Sequence, residues 1–406
     1  MSRFLFVVPP LVGHVNPTLG VAAELAARGH ATAWAGHPEL VHRVAGPDAE
    51  VFPCDVVTDP ASDRPVQRPP ELRGPAALKF LWESFLVPLA EAMAPGVVAA
   101  VDHFGADVVV ADQQAVAGAL VAERLGLPWA TSATTPAEFT GALDGMPLVD
   151  AWITALLADL RKRIGDPESS VDPRFSPQLT LAFTTPELAG PVSGPGPEDG
   201  GRPIRFVGPS IAARATDPSF AWQWLDPERA LVLVSLGTAN TDAGAAFLTS
   251  CQSALRARSD RLQAVIVDPG GVLGFPPPDA DVLVLPSVPQ VPLLARAAAV
   301  VCHAGHNTVC ESLWHGVPLV VAPIRDDQPV VAGQVVAAGA GIRVRFGRTS
   351  AARLGEAVDT VLDAPAYRAA AQRIAASFRA AGGAAAAADH LELLLRPSPQ
   401  PTNRRM

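Results

Sequence analysis

Short apolar runs alternate with helical patterns from the first residues of the chain onward. The apolar run at 3–8 predicts a buried strand, and the following loop leads to Asn16 and Pro17, which suit the cap and first position of a helix. That helix should end near Arg28, and residues 31–35 predict the next strand. A strand, a helix and a second strand in this order are typical of a parallel, doubly wound sheet.

The alternation continues through the first half of the chain and restarts in the second half. Further strands are predicted at 107–111, 128–131, 230–235, 264–267, 282–285, 298–302, 319–322 and 342–345. Helices are predicted at 78–94, 115–125, 140–165, 243–258, 291–295, 308–315, 329–338, 351–362, 367–379 and 384–395. The pattern predicts an α/β fold of two doubly wound, Rossmann-like domains, whose strands open by their carboxyl ends on a shared cleft.

A shift in composition marks the expected boundary between these domains. Glycine and proline gather before the second series of strands begins. We expect a first domain at 1–211, a linker at 212–227, a second domain at 228–380, a helix at 381–396 that returns to the first domain, and a disordered tail at 397–406.

The overall composition narrows the class of protein. The 406 residues are 49% hydrophobic, which is ample for two cores, and a net charge of −9 argues against nucleic acid as a partner. No basic leader precedes the first apolar run, and no uninterrupted apolar stretch is long enough for a membrane span, so we expect a cytoplasmic protein. The four cysteines lack metal-site spacing and are expected to be reduced core residues.

The stretch at 303–311, His-Ala-Gly-His-Asn-Thr-Val-Cys-Glu, carries the clearest chemistry in the chain. It follows an apolar strand and leads into a helix, so backbone N–H groups and the helix dipole favour an anion such as a diphosphate there. We expect His303, Asn307 and Thr308, with Gly305 in the turn, to hold and neutralise a departing nucleoside diphosphate. Neither a metal nor a cofactor is needed for that task.

Three more polar residues belong to the same region. Glu311 lies one helical turn further along and could accept hydrogen bonds from ribose hydroxyls. Asp327 and Gln328 follow the next strand and are suited to the hydroxyl groups of a sugar. Together these residues indicate an enzyme that uses a sugar nucleotide.

Another strand-to-helix turn occurs at 235–238, Ser-Leu-Gly-Thr. Ser235 and Thr238 could hold a phosphate through their hydroxyl and backbone N–H groups. An ordinary turn is the alternative, and the turn alone does not decide between them.

A histidine and an aspartate are expected to meet on the other side of the cleft. His14 should lie just before a helix N-terminus, which disfavours the imidazolium and should keep the ring neutral near pH 7. Asp112 stands at the carboxyl end of a strand in the same sheet, where a carboxylate could orient His14 as a base. A capping histidine and an ordinary loop aspartate are the alternative.

A hydrophobic acceptor pocket is the weakest of these expectations. Trp82, Phe85 and Met146 lie in predicted helical segments of the first half and could line such a pocket. Aromatic residues at helical spacing are, however, more often part of the core.

With these motifs in view, the chain resembles the family 1 glycosyltransferases of the GT-B fold, particularly bacterial enzymes that decorate antibiotics and other natural products. The resemblance covers nearly the whole chain. It rests on Gly-His-Val-Asn-Pro at 13–17, Ser-Leu-Gly-Thr at 235–238, Pro-Ser-Val-Pro-Gln at 286–290 and the stretch at 303–328.

The resemblance implies a role for each matching residue and inversion of the anomeric carbon by a single displacement. His14 would be the general base and Asp112 its orienting partner. The donor would be bound at its diphosphate by His303, Asn307 and Thr308, at its ribose by Glu311, at its base by the loop of Val288 and Gln290, and at its sugar by Asp327 and Gln328.

Two departures from relatives leave the donor base open between thymine and uracil. Ser287 stands where plant members carry a tryptophan that stacks on uracil, and Ala304 and His306 replace an extra histidine and glycines of macrolide-type members. We expect a TDP- or UDP-sugar donor and a small hydrophobic acceptor glycosylated at oxygen, nitrogen or carbon. A homodimer stays open, as do a sugar-nucleotide epimerase and a non-catalytic auxiliary partner of another transferase.

Overall fold

A computed structural model of the protein describes residues 1–59, 64–66, 69, 72, 74–141, 145–192, 203–211, 220–237, 244–276 and 279–396. Two parallel sheets with helices packed on them form two α/β halves, which confirms the predicted fold class. The expected tail at 397–406 and residues 212–219 of the expected linker lie outside the described residues. The division of the chain into domains stays a prediction.

The first half is built on a seven-stranded parallel sheet. Its strands are β1 (Arg3–Val7), β2 (Ala31–Gly36), β3 (Val51–Pro53), β6 (Val108–Asp112), β7 (Trp129–Ala133), β8 (Thr180–Ala182) and β9 (Ile204–Phe206), and a separate hairpin pairs β4 (Thr58–Asp59) with β5 (Arg64–Pro65). Its helices are α1 (Val12–Ala27), α2 (Pro38–Ala45), α3 (Gly74–Lys79), α4 (Val87–Phe104), α5 (Ala117–Leu125), α6 (Pro147–Ile164) and α7 (Pro186–Ala189). The strand order is β3-β2-β1-β6-β7-β8-β9.

The second half is built on a six-stranded parallel sheet in the order β12-β11-β10-β13-β14-β15. Its strands are β10 (Ala230–Ser235), β11 (Leu262–Val267), β12 (Val282–Leu285), β13 (Ala297–Cys302), β14 (Leu319–Val321) and β15 (Gly341–Arg343). Its helices are α8 (Ala245–Arg256), α9 (Gln290–Leu294), α10 (His306–Trp314), α11 (Gln328–Ala337), α12 (Ala351–Asp363) and α13 (Pro365–Ala380), and α14 (Gly383–Leu393) follows them.

Each sheet reverses its strand order at one point, and both candidate site regions lie there. In the first sheet β1 lies between β2 and β6, and in the second β10 lies between β11 and β13. Chains leave such neighbouring strands toward opposite faces, which opens a crevice at the carboxyl ends. The loops after β1 and β6 thus open on one crevice, and those after β10 and β13 open on another.

The start of α1 differs from the prediction. The helix begins at Val12 after Leu11, not at Pro17 after an Asn16 cap, so His14 lies inside the first turn. The backbone N–H groups of His14 and Val15 both donate to the Leu11 carbonyl, which starts the helix early. Pro17 then lies within the helix, where it removes only one main-chain hydrogen bond, at the end nearest the crevice.

The last helix, α14, packs on the first half. Ala387, Ala388 and Leu391 are buried in the same cluster as β1 and α1. Arg28 at the end of α1 forms ion pairs with Asp389 and Glu392 at 2.6 and 3.1 Å. The N–H of Gly383 donates to the Val207 carbonyl at 2.7 Å, just after β9.

One continuous helix of the described chain, Gly74–Phe104, is long and apolar enough to cross a membrane by length and composition alone. It comprises α3, a π-helical segment (Phe80–Leu86) and α4. Its apolar face, including Leu89, Met93 and Val97, is fully buried against the first sheet. That position is typical of a core helix.

Candidate active site

His14 and Asp112 meet in the crevice of the first half. Asp112 is the last residue of β6, and β6 pairs with β1, from which the chain passes into the helix turn that carries His14. The Nδ1 atom of His14 lies 2.9 Å from Oδ1 of Asp112, whose side chain is fully buried. Because an ionised carboxylate only accepts hydrogen bonds, Nδ1 carries the proton and Nε2 is left to act as a base.

Thr134 completes this cluster, although the sequence patterns did not single it out. Its hydroxyl donates to Asp112 Oδ2 at 2.9 Å, and its Oγ1 lies 2.8 Å from His14 Nδ1. The backbone N–H of Gln114 donates to Asp112 Oδ1 at 2.8 Å. Thr134 follows β7, which neighbours β6, so a hydroxyl at the end of the adjacent strand was the available signal.

The protonation of His14 differs from the expectation based on the helix dipole. Burial lowers the pKa of His14, but the charge of Asp112 and the hydrogen bond to it raise that pKa by more. Asp327 and Glu138 push in the same direction, so the net pKa is raised. The expected neutrality near pH 7 therefore omitted the larger influence, which is the paired carboxylate.

Across the cleft, His303 is packed under the turn that joins β13 to α10. Ala304 adopts a left-handed backbone with φ 65°, and Gly305 caps the helix. A Cβ atom on Gly237 or Gly305 would lie 2.7 or 2.4 Å from the imidazole ring, so both turns require glycine. Burial, aided by the charge of Arg325, lowers the pKa of His303 to about 4, which leaves the ring uncharged at neutral pH.

The structure brings together two of the residues expected to bind the nucleoside. The amide of Gln290 donates to Oε2 of Glu311 at 2.6 Å. Val288 is partly buried and packs on the core of the second half. Thr308 is buried in the first turn of α10, and Ser235, at the end of β10, accepts from the Gly237 N–H at 3.4 Å. Thr238 lies outside the described residues.

Asp327 and Gln328 lie at the start of α11 and differ in the use of their polar atoms. The Gln328 carbonyl accepts the backbone N–H groups of Ile324 and Arg325 at 2.9 and 3.0 Å, which closes its own loop. Burial raises the pKa of Asp327 to about 6, the neighbouring charge of Asp326 adds to this, and His14 opposes it. His14 and Asp327 are thus close enough to influence each other across the cleft.

One hydrogen bond joins the two sides of this site directly. The side-chain amide of Asn307, in α10, donates to the Gly13 carbonyl, beside His14, at 2.9 Å. The structure therefore places the histidine pair of the first half against the donor turn of the second. Among the described residues, no cluster of His, Cys, Asp and Glu side chains is arranged to hold a metal ion.

Comparison with known proteins shows the family to which this arrangement belongs. Residues 277–394 match the family described as Erythromycin biosynthesis protein CIII-like, C-terminal domain. The chain is 30% identical over 421 residues to the demethyllactenocin mycarosyltransferase of Streptomyces fradiae, and the match covers 98% of this chain and 87% of that protein. The chain belongs to the family 1 glycosyltransferases of the antibiotic type.

Solved structures confirm the GT-B fold of this glycosyltransferase. The glycotransferase of kitacinnamycin superposes with a TM-score of 0.78 at 27% identity, covering 97% of this chain and 99% of that one. The spinosyn rhamnosyltransferase SpnG, solved as a complex with thymidine diphosphate, superposes with a TM-score of 0.73 at 22% identity, covering 97% of this chain and 100% of that one.

The residues suggested for an acceptor pocket of the glycosyltransferase lie in different environments. Trp82 is only 3% exposed and belongs to the core of the first half, as the alternative predicted. Phe85 is partly buried on the same core, and Met146 is 44% exposed. Their contact with an acceptor stays a prediction.

A buried charge cluster between Trp82 and the His14 pair was not anticipated. Arg174 forms hydrogen bonds to both oxygens of Asp172 at 2.8 and 3.0 Å and lies 3.8 Å from Glu138. Its guanidinium carbon lies 5.8 Å from the centre of the Trp82 ring. Burial raises the pKa of Glu138 to about 7, against the opposing charge of Arg174.

Proposed function

We propose that this glycosyltransferase moves a sugar from a nucleoside-diphosphate sugar to a nucleophilic group, first of all a hydroxyl, of a small hydrophobic natural product. The proposal is supported chiefly by the cluster of His14, Asp112 and Thr134, which faces the donor turn across the cleft. The relatives described above belong to natural-product pathways.

In the proposed reaction His14 is the general base. Its Nε2 takes the proton of the acceptor hydroxyl while the acceptor oxygen bonds to the anomeric carbon and the bond from that carbon to the diphosphate oxygen breaks. One displacement from the side opposite the leaving group inverts the anomeric carbon. Asp112 and Thr134 hold the Nδ1 proton and stabilise the imidazolium as it forms.

The donor half would stabilise the leaving nucleoside diphosphate without a metal ion. The first turn of α10 offers unpaired backbone N–H groups and the positive end of the helix dipole. His303, uncharged before the donor binds, can donate one N–H to a phosphate oxygen. Glu311, held by Gln290, is placed for ribose hydroxyls, and Asp327 for sugar hydroxyls. The complex of SpnG with thymidine diphosphate favours a TDP-sugar over a UDP-sugar as the first donor to test.

The decisive experiment replaces His14 by Ala. We expect kcat to fall by about 10²- to 10⁴-fold, the usual contribution of a positioned base. Binding of TDP and UDP, measured by metal-free calorimetric titration, should be nearly unchanged because the donor residues lie in the other half. His42→Ala is a matched control, because His42 lies exposed on α2.

Three outcomes would count against the proposal. Normal turnover by the His14→Ala variant would remove His14 from the mechanism. A parallel loss of nucleotide affinity would contradict the separation of base and donor site. A wild-type protein that binds neither TDP nor UDP would favour the auxiliary-partner alternative.

A further inference from the structure

The position of Pro17 in α1 leaves one backbone carbonyl without its usual helical donor. In an α-helix each carbonyl accepts the N–H four residues further on. For the Gly13 carbonyl that residue is Pro17, which has no N–H. The proline ring also pushes the carbonyl four residues earlier away from the helix axis. The Gly13 carbonyl is thus turned outward, at the mouth of the cleft and directly before His14.

The missing donor comes from the other half of the protein. The Asn307 amide reaches the Gly13 carbonyl at 2.9 Å from the first turn of α10. Gly13 permits this approach, since even a Cβ atom there would lie only 3.7 Å from Asn307 Nδ2. A backbone group next to the proposed base is therefore tied to a side chain next to the proposed diphosphate site.

We infer that Asn307 is a positioning residue, which holds the His14-bearing turn against the donor turn through the carbonyl that Pro17 leaves free. The inference rests on the proposed role of His14 as base. Asn307 would act on the rate through the relative placement of acceptor base and donor, in addition to any contact with the diphosphate. Small displacements of reacting groups lower rates strongly, so one hydrogen bond at this point matters more than its contribution to stability.

Two single variants and their combination test this inference. Asn307→Ala removes the donor, and Pro17→Ala restores a helical N–H that draws the Gly13 carbonyl back toward the helix axis. We expect each single variant to lower kcat by about two- to tenfold, the effect of one hydrogen bond, while TDP affinity changes little. In the Pro17→Ala background, Asn307→Ala should then have much less effect than in the wild type.

The Pro17→Ala variant also separates positioning from loss of structure. Alanine is a far better residue than proline inside a helix, so this variant should unfold at the same or a higher temperature while its kcat falls. Pro95→Ala is the matched control, because Pro95 lies inside α4 and is exposed away from the cleft. It should change stability in the same direction and leave kcat unchanged.

The possible results divide clearly. Equal effects of Asn307→Ala in both backgrounds would overturn the inference, because Asn307 would then act without Gly13. A coupling seen in the thermal stability of the TDP-bound protein but not in kcat would overturn it as well. If instead His14→Ala keeps full turnover while the Asn307 and Pro17 variants remain coupled in kcat, the proposed base fails and the positioning contact stands.

Discussion

Replacing Asp112 by Asn would test the charge relation at the centre of the site. The substitution keeps the shape of a side chain that is fully buried and can still accept the Gln114 N–H. It removes the charge that faces the imidazolium formed during transfer. Its NH2 group, turned toward His14, would also favour a proton on Nε2, where the base needs its lone pair.

The expected loss in rate follows from the distance between the two groups. At 2.9 Å and an effective dielectric constant of about 20, carboxylate and imidazolium attract each other by about 6 kcal/mol. A hydrogen bond to a charged acceptor already contributes about 1.5–3 kcal/mol with the neutral ring. About 3–4 kcal/mol is then left for the transition state, so kcat should fall roughly 10²- to 10³-fold.

The pH profile gives an independent readout of the same variant. A base must be unprotonated, so the wild-type rate falls as pH drops through the raised pKa of His14. Without the Asp112 charge that pKa decreases, and the fall in rate should move to lower pH. Asp107→Asn, the same exchange at an exposed position before β6, should alter neither quantity. A wild-type kcat, or an acid limb that does not move, would refute the reasoning.

Two further predictions concern Asp327 and Glu138. Asp327→Ala should weaken binding of the sugar nucleotide more than that of the bare nucleoside diphosphate in calorimetric titrations, and equal losses would contradict a sugar contact. Burial raises the pKa of Glu138 from 4.5 to about 7, so the folded protein keeps a proton that the unfolded chain has lost, and stability decreases as pH rises through that window. Glu138→Gln should therefore be more stable than wild type at pH 8, by about 1–3 kcal/mol, but not at pH 4, as thermal unfolding would show.

Much of the site could be predicted because its residues follow strands. Asp112 ends β6 and His303 follows β13, and the carboxyl ends of parallel strands lie on one edge of a sheet. Apolar runs locate those strands well, since strands buried on both faces are continuously hydrophobic. The run at 230–235 was predicted with the bounds that the structure shows.

Other features depend on contacts that no local pattern contains. The early start of α1 depends on how the Leu11 carbonyl is turned, and Asn16 and Pro17 gave the wrong signal. Thr134 joins the His14 pair only because β7 lies beside β6. The partner of Asn307 lies in the other half of the chain. Strands of three residues, such as β8 and β9, are too short to show a period.

The packing of α14 has a consequence for biosynthesis. On the ribosome, β1 and α1 are made first, yet the helix that covers Leu25 and Val21 in the same cluster is made only after the whole second sheet. An apolar face of the nascent first half is therefore open to chaperones and to aggregation until α14 emerges. Separate expression of the first half would need α14 supplied, either fused to it or added as a peptide.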